Sequence, residues 1–213
     1  WRIDPLDFRS PELTSGVAAG ARFRSSHSTN MHIRIVAISG SLRSGSSNTL
    51  LLRAASAIAP PGMVIDVYDG IDSLPFFNPD LDDGSADVPS AVELFRAELR
   101  RADGLLISSP EYAHGVPGVM KNALDWLVGS TQGEIVEKPV ALINASPRAT
   151  LAQASLVETL RTMSANVVAD LSLTTSIGAR QLDNTTVHSM PDVVAVISSA
   201  LSQLQSAIRT RRA

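Results

Sequence analysis

Cysteine is absent from this 213-residue sequence. That absence excludes disulfides, thiolate metal sites, iron–sulfur clusters and cysteine nucleophiles. An excess of basic charge is also lacking, because 18 Lys and Arg residues face 21 Asp and Glu residues for a net charge of −3. This balance gives no general attraction to nucleic acid or to an anionic membrane. No apolar run approaches the roughly 20 residues of a transmembrane helix, so we expect no membrane span and a protein that handles small molecules.

The first 30 residues differ from the rest of the chain. They show little hydrophobic periodicity and lack the continuous apolar core of a secretory signal, so we expect a cytoplasmic protein. Met31 stands directly before the apolar run HIRIVAIS. We predict that residues 1–30 are a poorly ordered N-terminal extension and that residues 31–213 form one domain. The alternative is an arm that packs on the domain or on a partner subunit.

From Met31 onward, apolar strand patterns alternate with helical patterns. Strands that are apolar throughout are typical of a parallel sheet buried on both faces, and the alternation predicts a doubly wound, three-layer α/β domain. The predicted strands span residues 32–39, 63–68, 104–109, 139–145 and 166–173, and the predicted helices span 48–59, 89–102, 117–128, 150–163 and 191–209. Ligands in such folds bind beyond the carboxyl ends of the strands. The loops 40–47, 109–116 and 146–149 are therefore the candidate binding loops.

Two finer expectations concern the segment from the second strand to the following helix. Its aspartates lack the spacing of a calcium loop and indicate a solvated acidic loop; they stand at positions 66, 69, 72, 80, 82 and 83. In helix 89–102, apolar residues are spaced for one buried face: Val92, Leu94, Phe95 and Leu99.

The first loop, GSLRSGSS at residues 40–47, comes close to a phosphate-binding P-loop. However, Ser46 stands where that motif needs Lys, and Leu42 occupies the second glycine position of the dinucleotide motif GxGxxG. What remains is a smaller anion site, in which the helix starting near Asn48 offers N–H groups, the serine hydroxyls add donors, and Arg43 pairs two oxygens at once. This set favours a terminal monophosphate. The alternative is a tight turn with a Ser N-cap.

The second loop lies within SSPEYAHGVPGVMKNALDWLVG, residues 108–129. Pro110 restricts its backbone, Tyr112 offers an aromatic ring, and Gly115 and Pro117 lead into a helix. Beside a phosphate site, such a loop could hold a flat heterocycle through backbone contacts. A Pro/Gly turn into a helix is the alternative that composition alone favours.

Taken together, GSLRSGSSN and SPEYAHGVPGVMKNALDWL, about 60 residues apart, resemble the NADPH-dependent FMN reductase family. The resemblance covers roughly residues 33–207. It implies a flavodoxin-like fold with a five-stranded parallel sheet of order 2-1-3-4-5. It also implies FMN as the cofactor, NAD(P)H as co-substrate, and a homodimer or homotetramer, because KNALDWL is similar to the family's interface helix.

The same resemblance implies which residues contact FMN. Six residues of the first motif correspond to the family's phosphate-binding stretch: Ser41, Leu42, Arg43, Ser46, Ser47 and Asn48. Four residues of the second motif correspond to the family's segment beside the isoalloxazine ring: Pro110, Glu111, Tyr112 and Ala113. Ser146 matches a serine of the third flavin loop. The sequence departs from the family at Ala113, where Asn is usual, and at Arg148 and Ala149, where glycines are frequent.

The resemblance implies an oxidoreductase that passes hydride from NAD(P)H to bound FMN and on to a quinone, a flavin or a related small-molecule acceptor. In such an enzyme the cofactor carries the chemistry, so we predict no catalytic side chain and no metal. The alternative is a flavodoxin-type electron carrier without NAD(P)H activity of its own. Carriers usually show a T/S-x-T-G-N-T phosphate loop and marked acidity, and this chain has neither.

Overall fold

Five parallel strands form one sheet in the order β2-β1-β3-β4-β5. The computed structural model describes residues 32–82, 88–128, 130, 132–173 and 186–213. Within these residues the strands are β1 Ile33–Ser39, β2 Met63–Tyr68, β3 Gly104–Ser108, β4 Pro139–Asn144 and β5 Asn166–Ser172. The α-helices are α1 Ser47–Ala57, α2 Ser90–Arg101, α3 Gly118–Val128, α4 Thr150–Thr162 and α5 Pro191–Arg212. The predicted sheet order is confirmed, and each predicted element lies within a few residues of its observed bounds.

Helices cover both faces of the sheet, and alternate strand residues point to opposite faces and so join two different core clusters. On β1, Ile33, Ile35 and Ala37 join a core cluster with α1 and α5. Val36 and Ile38 join a second cluster with α2, α3 and α4. This arrangement confirms the predicted three layers and explains why β1, β3 and β4 are almost entirely apolar.

The predicted apolar face of α2 is correct at three of its four positions. Val92, Phe95 and Leu99 are fully buried, whereas Leu94 is 67% exposed. The prediction for Leu94 is wrong because helical spacing places residue 96, rather than 94, on the same face as 92, 95 and 99. That position holds Arg96, which is 4% exposed.

Arg96 is buried because it has a full set of acceptors. Its two terminal nitrogens donate to the two carboxylate oxygens of Asp82 at 2.8 and 2.7 Å. Its Nε donates to the carbonyl oxygen of Trp126 at 3.0 Å. The prediction of a solvated acidic loop is therefore wrong at Asp82, whose side chain is 7% exposed. This bidentate pair ties the loop after β2 to α2 and α3.

The predicted N-terminal extension, residues 1–30, lies outside the described residues. Among the described helices, none combines the length and apolar character needed to cross a membrane.

Candidate functional site

The loops after β1, β3 and β4 meet at one edge of the sheet, because the carboxyl ends of parallel strands lie together. The first loop follows Ser39, the second follows Ser108, and the third follows Asn144. Ser39 and Ser108 are paired in the register of β1 and β3. The three predicted binding loops are therefore neighbours in the structure.

Gly40 allows the first two loops to touch. Its N–H donates to the carbonyl oxygen of Ser108 at 2.9 Å. A Cβ atom on residue 40 would lie 2.2 Å from Oγ, 2.8 Å from Cβ and 3.1 Å from Cα of Ser109. No side chain fits in that space, so the close approach of the loops requires glycine at this position.

Hydrogen bonds to two serine hydroxyl groups hold the first loop in place. The Oγ of Ser39 accepts from Thr49 Oγ1 at 2.8 Å and from the N–H of Ser41 at 3.3 Å. Ser46 is buried and is the N-cap of α1, since its Oγ accepts from the N–H of Thr49 at 3.3 Å. The alternative prediction for this loop, a turn with a Ser N-cap, is therefore correct at Ser46.

The N-terminus of α1 nevertheless keeps donors for a ligand. Within the described part of the chain, the backbone N–H groups of Ser47 and Asn48 have no acceptor. Such first-turn N–H groups have no partner inside the helix and carry its positive dipole end. Asn48 is itself held in place, because its Oδ1 accepts from Ser108 Oγ at 2.9 Å.

These donors face a cleft of about 400 Å³ between the three loops. Its walls are formed by Ser47, Asn48, Pro110, Glu111, Asn144, Ala145, Ser146, Arg148 and Ala149. The structure therefore brings together five of the predicted site residues: Ser47, Asn48, Pro110, Glu111 and Ser146. A cavity of this size suits a ligand of cofactor dimensions.

The second loop turns tightly after the cleft. Tyr112 and Gly115 exchange two backbone hydrogen bonds, of 3.1 and 2.9 Å. Between them, Ala113 has φ of 49° and His114 has φ of 63°. Two consecutive positive φ values are typical of a type I′ turn, which Asn and Gly adopt most readily. Tyr112 is 57% exposed, and neither Tyr112 nor Ala113 lines the cleft.

This geometry gives a physical reason for the Asn that is usual at position 113 in the resembled family. Asn tolerates the left-handed region better than Ala does. Ala113 therefore carries backbone strain as well as lacking the amide.

Glu111 caps α4 from outside that helix. The N-cap residue Ala149 provides no side-chain hydrogen bond, and Glu111 Oε2 accepts from the N–H of Ala152 at 2.8 Å. Its other oxygen lies 3.2 Å from Nδ1 of His114. The hydrogen bond from Ala152 is the main cause that lowers the pKa of Glu111 below its usual 4.5. Glu111 is thus an anion at neutral pH and links the second loop to α4.

Asn144 is a site residue that the sequence reasoning missed. Its Nδ2 donates to the carbonyl oxygen of Ala149 at 2.8 Å, and its Oδ1 accepts from the N–H of Ser146 at 3.0 Å. These bonds close the third loop into a compact turn on which Ser146 and Arg148 stand. The available signal was a polar residue at the end of the otherwise apolar strand PVALIN.

Three other residues of the first motif lie around a second cavity, which we call the β2-side cavity. It measures about 390 Å³ and is bounded by Ser41, Leu42 and Arg43 of the first loop and by residues that follow β2. The predicted phosphate-binding stretch thus contributes to two separate cavities.

Among the described residues, no group of three or more His, Asp or Glu side chains could hold a metal ion. The cleft instead combines unpaired N–H groups at one helix terminus with a wall of small residues and the charged side chains of Glu111 and Arg148. Such a site can hold an elongated molecule that has an anionic group at one end.

Comparison with protein families gives a match between residues 33–180 and the model described as NADPH-dependent FMN reductase. Curated relatives include the NAD(P)H-dependent FMN reductase PA1204 of Pseudomonas aeruginosa, which is 43% identical over 114 residues, covering 54% of this chain and 60% of the relative. The probable NADPH:quinone oxidoreductase 2 of Oryza sativa subsp. japonica is 49% identical over 120 residues, covering 54% of this chain and 56% of the relative. The chain thus spans less than two thirds of the length of these relatives.

Among solved structures, the flavoenzyme NAD(P)H:(acceptor) oxidoreductase FerB of Paracoccus denitrificans superposes with a TM-score of 0.64 at 25% identity. The alignment covers 82% of this chain and 98% of FerB. An oxidoreductase of Corynebacterium diphtheriae superposes with a TM-score of 0.55 at 19% identity, over 84% of this chain and 98% of the other. The second likeness concerns the fold alone.

Proposed function

Because the chain belongs to the NADPH-dependent FMN reductase family, we propose that it is an FMN-dependent NAD(P)H oxidoreductase. It passes hydride from NAD(P)H to FMN bound in the cleft and on to a quinone, a flavin or a related small-molecule acceptor. The observation that carries this proposal is the pair of unpaired N–H groups of Ser47 and Asn48 at the end of the cleft. They are the donors that a phosphate monoester needs.

The residues present fit FMN at both ends of the cleft. At the α1 end, Ser47 and Asn48 offer N–H donors to the phosphate, and the Ser47 hydroxyl adds another. Away from α1, the wall includes the small or apolar residues Pro110, Ala145 and Ala149 as well as the charged side chains of Glu111 and Arg148. A flat ring system suits the part of the wall that Pro110, Ala145 and Ala149 form.

In the proposed reaction, the protein's own residues bind and orient the cofactor. Bound FMN supplies the ability to accept and release a hydride. The Ser47 and Asn48 N–H groups would hold the phosphate of FMN at the α1 end of the cleft. Glu111 stays ionised because the N-terminus of α4 favours its charge. It therefore serves as an acceptor that fixes the second loop and not as a proton donor.

One variant tests the phosphate site directly. Ser47 is the first residue of α1, a position where proline is well tolerated. Ser46 before it has extended backbone, with φ of −68° and ψ of 124°, as a residue preceding proline requires. Ser47→Pro deletes the N–H donor together with the hydroxyl, so we expect it to keep the fold and to bind FMN about tenfold more weakly than Ser47→Ala does, the value of one hydrogen bond to a charged group. Riboflavin, which lacks the phosphate, should bind equally to both proteins.

Ser47→Ala is the matched control, since it removes the hydroxyl and keeps the N–H group. If Ser47→Pro weakened riboflavin as much as FMN, the phosphate would not lie at this terminus and the proposed orientation would be wrong.

An anaerobic absorption spectrum tests the activity. We expect the purified protein to take up FMN, and the flavin bands to bleach when NADPH or NADH is added. Flavin bands that persist after NAD(P)H addition would support the electron-carrier alternative. A protein that fails to take up FMN would contradict both.

We further propose a homodimer or homotetramer that acts in the cytoplasm, where NAD(P)H is available. Phe76 supports self-association because it is 91% exposed while both of its neighbours are fixed on α3. The Pro75 carbonyl accepts from Trp126 Nε1 at 2.7 Å, and the N–H of Phe77 donates to Asn122 Oδ1 at 2.8 Å. Sedimentation equilibrium should show a multimer whose dissociation constant rises in Phe76→Ser. A monomeric wild-type protein would contradict this part of the proposal.

A further inference from the structure

The β2-side cavity is a second binding site candidate, separated from the cleft by the first loop. Its volume of about 390 Å³ lies within the range of nucleotide-sized pockets. Four charged side chains line it: Arg43, Arg53, Asp69 and Asp72. Leu42, which is 59% exposed, and Tyr68 add apolar surface.

The four charged side chains of this cavity do not form ion pairs with one another. Within the described residues, neither Arg43 nor Arg53 forms an ion pair or a side-chain hydrogen bond. Asp69 likewise has no partner there, and Asp72 accepts only from the neighbouring Ser73 hydroxyl, at 3.4 Å. A ligand with both anionic oxygens and hydroxyl groups would satisfy both kinds of side chain.

The topology places these groups where dinucleotides are bound in related architectures. β2 lies next to β1, with Tyr68 paired to Ile38, so Asp69 follows β2 beside the first loop. In Rossmann folds, which carry the glycine-rich motif that Leu42 interrupts here, an acidic residue near this position accepts hydrogen bonds from the adenosine ribose. Arginine is the side chain best suited to pair with phosphate oxygens.

We propose that the β2-side cavity binds the adenosine-phosphate half of the pyridine dinucleotide, with Arg53 on a phosphate and Asp69 on ribose hydroxyls. This inference rests on the proposed function, since it assigns a binding site to the hydride donor. The first loop is a wall of both cavities. In this proposal the dinucleotide would cross that loop, with its nicotinamide half in the cleft.

Arg53 is the best residue to test because it lies in the β2-side cavity and does not line the cleft. It is an exposed residue within α1, so its substitution should leave the fold intact. Arg161, an exposed arginine in the last turn of α4, lines neither cavity and provides the matched control.

The experiment measures binding of ADP-ribose and of 2′-phospho-ADP-ribose to the FMN-loaded protein by titration calorimetry. These probes carry the adenosine-phosphate half and undergo no redox reaction. We expect Arg53→Gln to raise the Kd of at least one probe about tenfold, the value of one charged hydrogen bond. Asp69→Asn should raise the Kd by a smaller factor, and Arg161→Gln should leave it unchanged.

The two probes distinguish which phosphate Arg53 contacts. Weaker binding of both probes would assign Arg53 to the diphosphate, and weaker binding of the 2′-phosphorylated probe alone would assign it to the 2′-phosphate; either result supports the proposal. Unchanged binding of both probes in Arg53→Gln would overturn it, as would failure of the wild-type protein to bind either probe. A loss of FMN affinity equal to the loss of probe affinity would also overturn it, because the cavity would then belong to the flavin site.

Failure of the proposed function would be seen separately, as a wild-type protein whose flavin bands do not respond to NAD(P)H.

Discussion

Replacing Gly40 with alanine should separate the first two loops of the site. The new Cβ would lie 2.2 Å from Ser109 Oγ, about 1.2 Å inside the 3.4 Å at which ordinary contact begins. It would also lie 2.8 Å from Ser109 Cβ and 3.1 Å from its Cα, so rotating the hydroxyl cannot relieve the overlap. We expect Gly40→Ala to lower the free energy of unfolding by about 2 kcal/mol, within the usual range for overpacking.

Urea denaturation of the FMN-free protein measures this loss without any contribution from ligand binding. Gly45→Ala is the matched control, because a Cβ at residue 45 meets no atom within 4 Å. It should change stability by less than about 1 kcal/mol, with a gain if the smaller entropy of the unfolded chain dominates. Equal stability of Gly40→Ala and Gly45→Ala would refute the steric reasoning.

A double-mutant cycle identifies the atoms responsible. Ser109→Gly removes the Oγ and Cβ atoms that the new methyl group meets. Although Ser109→Gly has a cost of its own, of about 1 kcal/mol, it should recover at least about 1 kcal/mol when combined with Gly40→Ala. Additive losses in the double variant would place the strain elsewhere.

Three further predictions concern positions away from this contact. Ala113→Gly should raise the free energy of unfolding by about 1 kcal/mol, since glycine adopts the positive φ of this turn without strain; an unchanged urea midpoint would argue against a strained turn. Arg96→Met should lower the free energy of unfolding by about 3–5 kcal/mol, because the buried carboxylate of Asp82 loses its partner. A loss below about 1 kcal/mol would show that this carboxylate is solvated. Burial lowers the pKa of Lys138 to about 8 from the usual 10.5. Between these two pH values the unfolded chain binds more protons than the folded protein does, so the free energy of unfolding rises with pH. Urea titrations from pH 7.5 to 10.5 should show this rise in the wild-type protein and not in Lys138→Met, and an equal rise in both proteins would contradict the assignment.

The secondary structure was predictable because the strands and helices differ strongly in pattern. β1, β3 and β4 are continuous apolar runs, as expected of strands covered on both faces. The spacing of the loops then placed the site at the carboxyl ends of these strands. These features follow from local sequence and from rules of topology, and the structure confirms the predicted sheet order.

The individual roles of polar residues were less predictable, because each depends on a partner distant in sequence. Glu111 lines the cleft as expected, but the sequence did not indicate that its carboxylate caps α4 by accepting from a residue 41 positions away along the chain. Arg96 and Asp82 are buried only because each satisfies the other, and composition alone suggests that both are exposed. Asn144 closes a turn through two bonds to backbone, a geometry that no spacing rule indicated.

The capping of α4 by Glu111 has a consequence for how a ligand enters the cleft. Two helix N-termini border it, and one of them already holds a carboxylate that belongs to the protein. A second anion arriving there would meet that carboxylate as well as the neighbouring Arg148, whereas the terminus of α1 offers N–H donors that have no acceptor among the residues described. The two helix termini therefore treat an anionic group differently, and this difference is present before any cofactor binds.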